Sequence, residues 1–146
     1  NLNIKVIALL PNADAGSLKV REVLNARHDK VNVFLATHFE RDKFLSWMAA
    51  ANFMIGNSSA GIIEAGAFGT PVINVGIRQN MRERNENVID VAEDESAIKS
   101  AIQKAIQVNR FSENNIYGDG NADVNIVSLL SCVSISNDLL NKSNAY

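Results

Sequence analysis

Residues 52–90 decide the fold, and they read NFMIGNSSAGIIEAGAFGTPVINVGIRQNMRERNENVID. An apolar strand over 53–55 stops at Gly56, small polar residues open a helix over 60–68, and a second apolar strand follows over 71–75. A strand–turn–helix–strand unit of this kind leaves hydroxyls and unpaired backbone N–H groups at the start of its helix, where an anion can bind. The stretch therefore predicts a site for a nucleotide or a sugar phosphate.

The same alternation of strands and helices extends outward along the whole chain. Apolar runs predict further strands over 4–10, 31–35 and 88–91, and helices over about 17–26, 44–51, 95–108 and 122–140. Ser17 or Asp14 is expected to cap the first helix. This rhythm predicts one α/β domain over 1–146, with a doubly wound, Rossmann-like parallel sheet. Ligands of such sheets bind beyond the carboxyl ends of the strands, which directs attention to the turns at 11–16, 36–39, 56–59 and 76–84.

Composition and missing motifs argue against several classes of function. A net charge of −2 over 146 residues gives no electrostatic case for nucleic acid or an anionic membrane. No apolar run approaches the ~20 residues that span a bilayer. Metal-ligand spacings, GxGxxG and the Walker pattern are all missing, so neither a metal nor a cofactor is expected. Cys132 lies in an apolar stretch and is expected to be buried. The sequence fits a cytoplasmic protein, and its start without Met suggests part of a larger one.

Two serines and one acid are candidates from the helix that follows the turn. Ser58 and Ser59 could hold a diphosphate through hydroxyl and N–H groups, but plain N-capping explains them equally well. Glu64 could accept hydrogen bonds from ribose hydroxyls, or it could face solvent and be favoured by the helix dipole. Its neighbours are apolar, and a charge on a mostly buried helix favours the functional interpretation.

Three further candidates lie in the other turns. Arg78 follows the strand over 71–75, and the donors of its guanidinium suit a phosphate, although charged loops are most often only solvated. Asn12 could reach a ligand, but by itself it is better explained by an Asx turn. Phe39 could border a base, with His38 beside it, and this indication is weak.

Together these motifs resemble the hydrolysing UDP-N-acetylglucosamine 2-epimerases of sialic acid and polysialic acid capsule synthesis. Related non-hydrolysing epimerases carry a Ser-Gly-Gly version of the Ser-Ser turn. The resemblance covers nearly the whole chain and rests on the following segments: PNADAGS at 11–17, IGNSS at 55–59, Glu64, GTPVIN at 69–74, GIRQ at 76–79, ENV at 86–88 and IYGDGNA at 116–122.

The resemblance implies a fold, a reaction and a set of roles. The chain would be the second of two Rossmann-like domains in the GT-B arrangement, in a homo-oligomeric enzyme that converts UDP-GlcNAc to N-acetylmannosamine and UDP through a 2-acetamidoglucal. Ser58 and Ser59 would hold the diphosphate, Glu64 the ribose, and Asn12, Phe39 and Arg78 other parts of UDP. The residues that transfer protons would lie in the missing N-terminal part. This chain therefore contributes no catalytic residue and alone is expected to be inactive.

Alternatives remain open on the sequence. The chain could be the nucleotide-binding half of a GT-B glycosyltransferase, or a non-catalytic module that binds UDP-sugars. Some relatives act on diacetamido sugars, so the sugar itself is not fixed. Met81 stands where the family usually has glycine, which puts the conformation of that loop in question.

Overall fold

The structure is a computed structural model that describes residues 4–11, 16–27 and 32–136. The chain divides into two compact units, Asn1–Ala50 and Ala51–Tyr146, here called the first and the second unit. Both contain parallel strands joined through helices. The predicted α/β, Rossmann-like class is confirmed, with the strands in two small sheets. A single domain over 1–146 stays a prediction.

The first unit is a βαβα segment. Its elements are β1 (Val6–Leu9), α1 (Ser17–Asn25), β2 (Val33–Ala36) and α2 (Arg41–Ala50). Strands β1 and β2 pair in parallel over four residues each, with Val6 opposite Val33. Among the described residues of this unit only Met48 is buried, and Val6 in β1 remains 41% exposed.

Helix α1 begins differently from the prediction. Gly16 is its N-cap, in a left-handed conformation at φ 84°, and no side chain caps the helix. Ser17 is already the first helical residue, so its expected role as the cap is wrong. Asp14, the other expected cap, lies outside the described residues.

The second unit holds a three-stranded parallel sheet in the order β3-β4-β5. In this sheet Gly56 at the end of β3 pairs with Asn74, and Asn74 pairs with Asp90. The carboxyl ends of the three strands are therefore in register. The elements of the unit are β3 (Met54–Gly56), α3 (Ser59–Ile63), a 3-10 helix (Ala65–Phe68), β4 (Val72–Val75), β5 (Val88–Val91), α4 (Glu95–Val108) and α5 (Ala122–Cys132).

The core of the second unit lies where α4 packs on the sheet. Ile73 in the central strand β4 and Ala101 and Ala105 on α4 are buried together. Asp94 fixes the start of α4, because its carboxylate accepts from the backbone N–H of Ala97 at 2.8 Å. Ile62 on α3 is also fully buried. Helix α3 contacts the central strand β4.

Three predictions for this unit need correction. The helix expected over 60–68 is interrupted at Glu64, where it changes to a 3-10 helix. Helix α5 ends at Cys132 rather than near residue 140, because Val133 adopts an extended backbone at ψ 127°; residues 137–140 lie outside the described part. Cys132 is exposed rather than buried, since no residue of α5 is buried.

Candidate functional site

The turn after β3 positions two serines at the start of α3. Ser58 is the N-cap, with an extended backbone at φ −76° and ψ 140°, and its Oγ accepts from the backbone N–H of Ala60 at 3.4 Å. This distance is long for a hydrogen bond, so the contact between Ser58 Oγ and the N–H group of Ala60 is weak. Ser58 is exposed and Ser59 is half-buried. The hydroxyl of Ser58 thus lies at the protein surface, whereas the N–H group of Gly61 donates to the carbonyl of Ser58 at 3.2 Å.

The loop after β4 contacts this turn directly. Arg78 Nη1 donates to the carbonyl of Asn57 at 3.0 Å, and Gln79 Nε2 donates to the same oxygen at 2.8 Å. Gln79 is only 3% exposed, whereas Arg78 is exposed. Because one carbonyl accepts both bonds, the guanidinium is held next to Ser58. A cation beside a helix start with a hydroxyl is suited to binding an anion.

An ion pair anchors the far end of the same loop. Arg84 Nε donates to Asp90 Oδ2 at 3.0 Å, and Asn74 Nδ2 donates to Asp90 Oδ1 at 2.6 Å. Partial burial raises the pKa of Asp90, but the hydrogen bonds from Arg84 and Asn74 outweigh it and hold the pKa below its ordinary value. Asp90 therefore stays ionised at neutral pH and keeps Arg84 at the strand ends.

Glu64 lies at the other end of α3 from the serines. It is the C-terminal cap of that helix, its backbone N–H donates to the carbonyl of Ala60 at 2.9 Å, and the residue is half-buried. A small cavity of about 30 Å³ opens beside Ser58, and it has space for about one or two waters. The cavity is lined by Met54, Ile55, Gly56, Ser58, Gly61 and Val72.

Four of the six residues proposed to bind UDP lie in the same unit, and among them Arg78 contacts the turn that contains Ser58. Ser58, Ser59, Glu64 and Arg78 all belong to the second unit. Phe39 belongs to the first unit, where its ring lies 6.4 Å from that of Trp47 with 39° between the planes. Asn12 lies outside the described residues.

Sequence reasoning missed the polar residues that hold the loop. Gln79 entered the sequence analysis only as the last residue of the segment GIRQ, and the ion pair of Arg84 with Asp90 was not predicted. One signal was available: Asn74 is a polar residue in an otherwise apolar strand. A buried amide needs hydrogen-bond partners, so its presence predicts a polar group on the neighbouring strand.

Two searches of residues 4–11, 16–27 and 32–136 gave negative results. No group of three His, Cys, Asp or Glu side chains could hold a metal ion there. In the same residues, every helix is too short or too polar to cross a bilayer.

Comparison with known proteins assigns the sequence to a family. Residues 1–131 match the family described as UDP-N-acetylglucosamine 2-epimerase. The match includes the first unit, most of the second unit and every residue proposed to bind UDP. The chain belongs to this epimerase family.

Individual relatives carry related names. The chain is 40% identical over 144 residues to the UDP-N,N'-diacetylbacillosamine 2-epimerase (hydrolyzing) of Legionella pneumophila, covering 99% of this chain and 38% of that protein. It is 36% identical over 116 residues to the UDP-N-acetylglucosamine 2-epimerase of Neisseria meningitidis serogroup B, covering 79% and 30%. It is 43% identical over 91 residues to the GDP/UDP-N,N'-diacetylbacillosamine 2-epimerase (hydrolyzing) of Campylobacter jejuni, covering 60% and 23%. The chain thus spans less than two fifths of the length of these relatives.

Proposed function

We propose that this chain is the UDP-binding part of a hydrolysing 2-epimerase that converts UDP-GlcNAc to N-acetylmannosamine and UDP. One observation carries the proposal: the loop after β4 holds Arg78 against the turn that contains Ser58, through the shared carbonyl of Asn57. Membership of the epimerase family supports it. N-acetylmannosamine made in this way would serve sialic acid synthesis.

The proposed role of the site is to bind the group that leaves. Elimination of UDP requires a base at C2 of the sugar and stabilisation of the charge that develops on the diphosphate. Arg78, Ser58 and Ser59 would supply that stabilisation, and Glu64 would bind the ribose. The groups that transfer protons would come from the part of the enzyme outside this chain. This chain alone is therefore expected to be inactive.

A second candidate substrate has its own support. Two of the three relatives above are named for UDP-N,N'-diacetylbacillosamine, and one of them covers 99% of this chain at 40% identity. The reaction on such a sugar would be the same elimination and hydration, because the second acetamido group is remote from C1 and C2. The diphosphate and ribose sites proposed here would serve either sugar equally.

The experiment is a product assay on the full-length protein. It is incubated separately with UDP-GlcNAc and with UDP-N,N'-diacetylbacillosamine, and the formation of free UDP and of the 2-epimerised free sugar is followed. Release of UDP together with the epimerised sugar from either substrate supports the proposal, and the rates decide between the substrates. Both sugar nucleotides recovered intact after full incubation would refute it. Transfer of the sugar to an added acceptor without epimerisation would favour a glycosyltransferase instead.

Two remaining features of the proposal rest on the family resemblance alone. They are the GT-B arrangement of two domains and a homo-oligomeric enzyme, whereas the proposed cytoplasmic location rests on composition. Sedimentation of the full-length protein would test the oligomeric state.

A further inference from the structure

Two asparagine side chains meet at the C-terminal end of α3. Asn85 Nδ2 donates to the carbonyl of Ile62 at 3.2 Å, and Asn115 Nδ2 donates to the carbonyl of Ile63 at 2.9 Å. The two amides also contact each other, with Asn85 Nδ2 at 3.5 Å from Asn115 Oδ1. Asn85 comes from the loop before β5 and Asn115 from the segment after α4. This pair is called the amide clamp below.

The amide clamp supplies hydrogen-bond donors to carbonyls that are left without partners where α3 ends. The last carbonyls of any α-helix have no partner within the helix. In α3 the helix ends at Ile63 and a 3-10 helix starts at Ala65, so the carbonyls of Ile62 and Ile63 need outside donors. Asn85 is 5% exposed, and its Oδ1 in turn accepts from the backbone N–H of Ile116 at 2.8 Å. Its amide therefore has protein partners at both ends.

The backbone on the far side of Glu64 is held by the same segment. The backbone N–H of Asn114 donates to the carbonyl of Gly66 at 3.1 Å. A Cβ on Gly66 would lie 2.6 Å from Asn85 Nδ2 and 2.7 Å from the carbonyl oxygen of Asn114, so only glycine leaves space for this approach. Glu64 is thus bracketed by fixed carbonyls at Ile62, Ile63 and Gly66.

We propose that the amide clamp positions Glu64 for binding the ribose of the sugar nucleotide. The inference rests on the proposed function, in which Glu64 accepts hydrogen bonds from ribose hydroxyls. Asn85 lies in the same loop as Arg78, so the clamp also links the segment that holds the ribose acid to the segment that holds the phosphate-binding arginine. Asn85 and Asn115 are positioning residues, since neither is proposed to touch the ligand.

The test compares two ligands on the full-length protein. UDP and 2′,3′-dideoxy-UDP differ only in the ribose hydroxyls. The dissociation constant of the dideoxy compound divided by that of UDP, called the ratio below, therefore reports the ribose contact and not general stability. The wild-type protein is expected to bind the dideoxy compound roughly tenfold or more weakly, because a hydrogen bond to a charged group is being lost. Glu64→Gln is expected to reduce this ratio.

The clamp variants decide the inference. Asn85→Ala and Asn115→Ala should each lower the ratio towards one, chiefly because they weaken the binding of UDP. The matched control is Asn87→Ala, which removes an equally buried amide whose Nδ2 donates to the carbonyl of Thr70 at 2.7 Å, away from α3. The control should leave the ratio unchanged even if it lowers stability.

The possible failures are distinct. No binding of UDP by the wild-type protein would refute the proposed function and this inference with it. Ligand discrimination that is lost in Glu64→Gln but kept in both clamp variants would overturn the inference alone. An equal loss of discrimination in Asn87→Ala would also overturn it, because the effect would then be general destabilisation. If Asn85→Ala does not fold, Asn115→Ala decides the question in the same way.

Discussion

The two units of this chain differ in how their loops and strands are held. In the second unit a buried core is accompanied by buried polar side chains, namely Thr70, Asn74, Gln79, Asn85 and Asn87. In the first unit Met48 is the one buried residue among those that the structure describes, and the strand β1 keeps exposed apolar side chains. The second unit therefore contains its own means of fixing loop geometry, which is what a binding site needs. The following predictions test this difference.

The largest effect is expected in the core of the second unit. Ile73 is fully buried in β4, so Ile73→Ala should lower the free energy of unfolding of this unit by about 2–5 kcal/mol. The matched change in the first unit, Val6→Ala, removes a side chain that is 41% exposed and should cost less than about 1 kcal/mol. Hydrogen exchange of peptides from each unit of the full-length protein measures both. Equal losses would contradict the stated difference between the units.

A glycine that ends the 3-10 helix should show the next largest effect. Gly69 has φ +59°, and a Cβ there would collide with the carbonyl oxygen of Phe111. Gly69→Ala is expected to destabilise the second unit by roughly 2–4 kcal/mol, from backbone strain and steric overlap together.

Gly120→Ala is the matched control for that variant. Gly120 also has a positive φ, of +88°, but open space around the added Cβ, so it should show only the strain of about 1–2 kcal/mol. Thermal unfolding of the two variants separates the contributions. The same loss in both would mean that contact with Phe111 is unimportant.

The pairing of Asp90 with Arg84 should make the loop sensitive to acid. Because the pKa of Asp90 is lowered in the folded protein, its ionised form stabilises the fold above the unfolded-state pKa, and this contribution is lost as pH falls through the folded-state pKa. Asp90→Asn should therefore be less stable than the wild-type protein near pH 7. The difference should shrink below about pH 4. Melting curves from pH 7 to pH 3 measure it, and a difference independent of pH would rule out the ion pair as its source.

The smallest effect is expected at Met81. This residue has φ +68° and is fully exposed, so it adopts a left-handed conformation without burying its side chain. Met81→Gly should relieve about 1–2 kcal/mol of strain and lose up to about 1 kcal/mol through greater freedom of the unfolded chain. The net result is a small gain in stability, visible as slower hydrogen exchange over 76–87. Faster exchange would indicate that the side chain of Met81 stabilises the loop.

Much of the second unit could be predicted from local patterns. The structure reproduces the expected bounds of β5 and α4, because a capping aspartate and a regular apolar period mark α4 and a short apolar run marks β5. The break in the helix at Glu64 could not be predicted, since it is stabilised by Asn85 and Asn115, which are distant in sequence.

Burial was predicted less well than secondary structure. Cys132 was expected to be buried because its surroundings are apolar, yet α5 is exposed. A run of apolar residues favours burial, but it does not identify the part of the protein that would cover those residues. In the site, the turn at Ser58 followed from helix-start chemistry, whereas the bond from Gln79 to Asn57 depends on tertiary structure and was not predicted.

The central claim is that Arg78 and the turn at Ser58 bind the diphosphate, and titration of the full-length protein with UDP tests it most directly. Arg78→Ala should weaken binding by about 1–3 kcal/mol, since a charge-assisted hydrogen bond is lost. Arg78→Gln also lacks the charge and should weaken binding similarly, while the bond from Gln79 Nε2 to the carbonyl of Asn57 still holds the turn. Titration curves for both variants that superimpose on the wild-type curve would contradict the account.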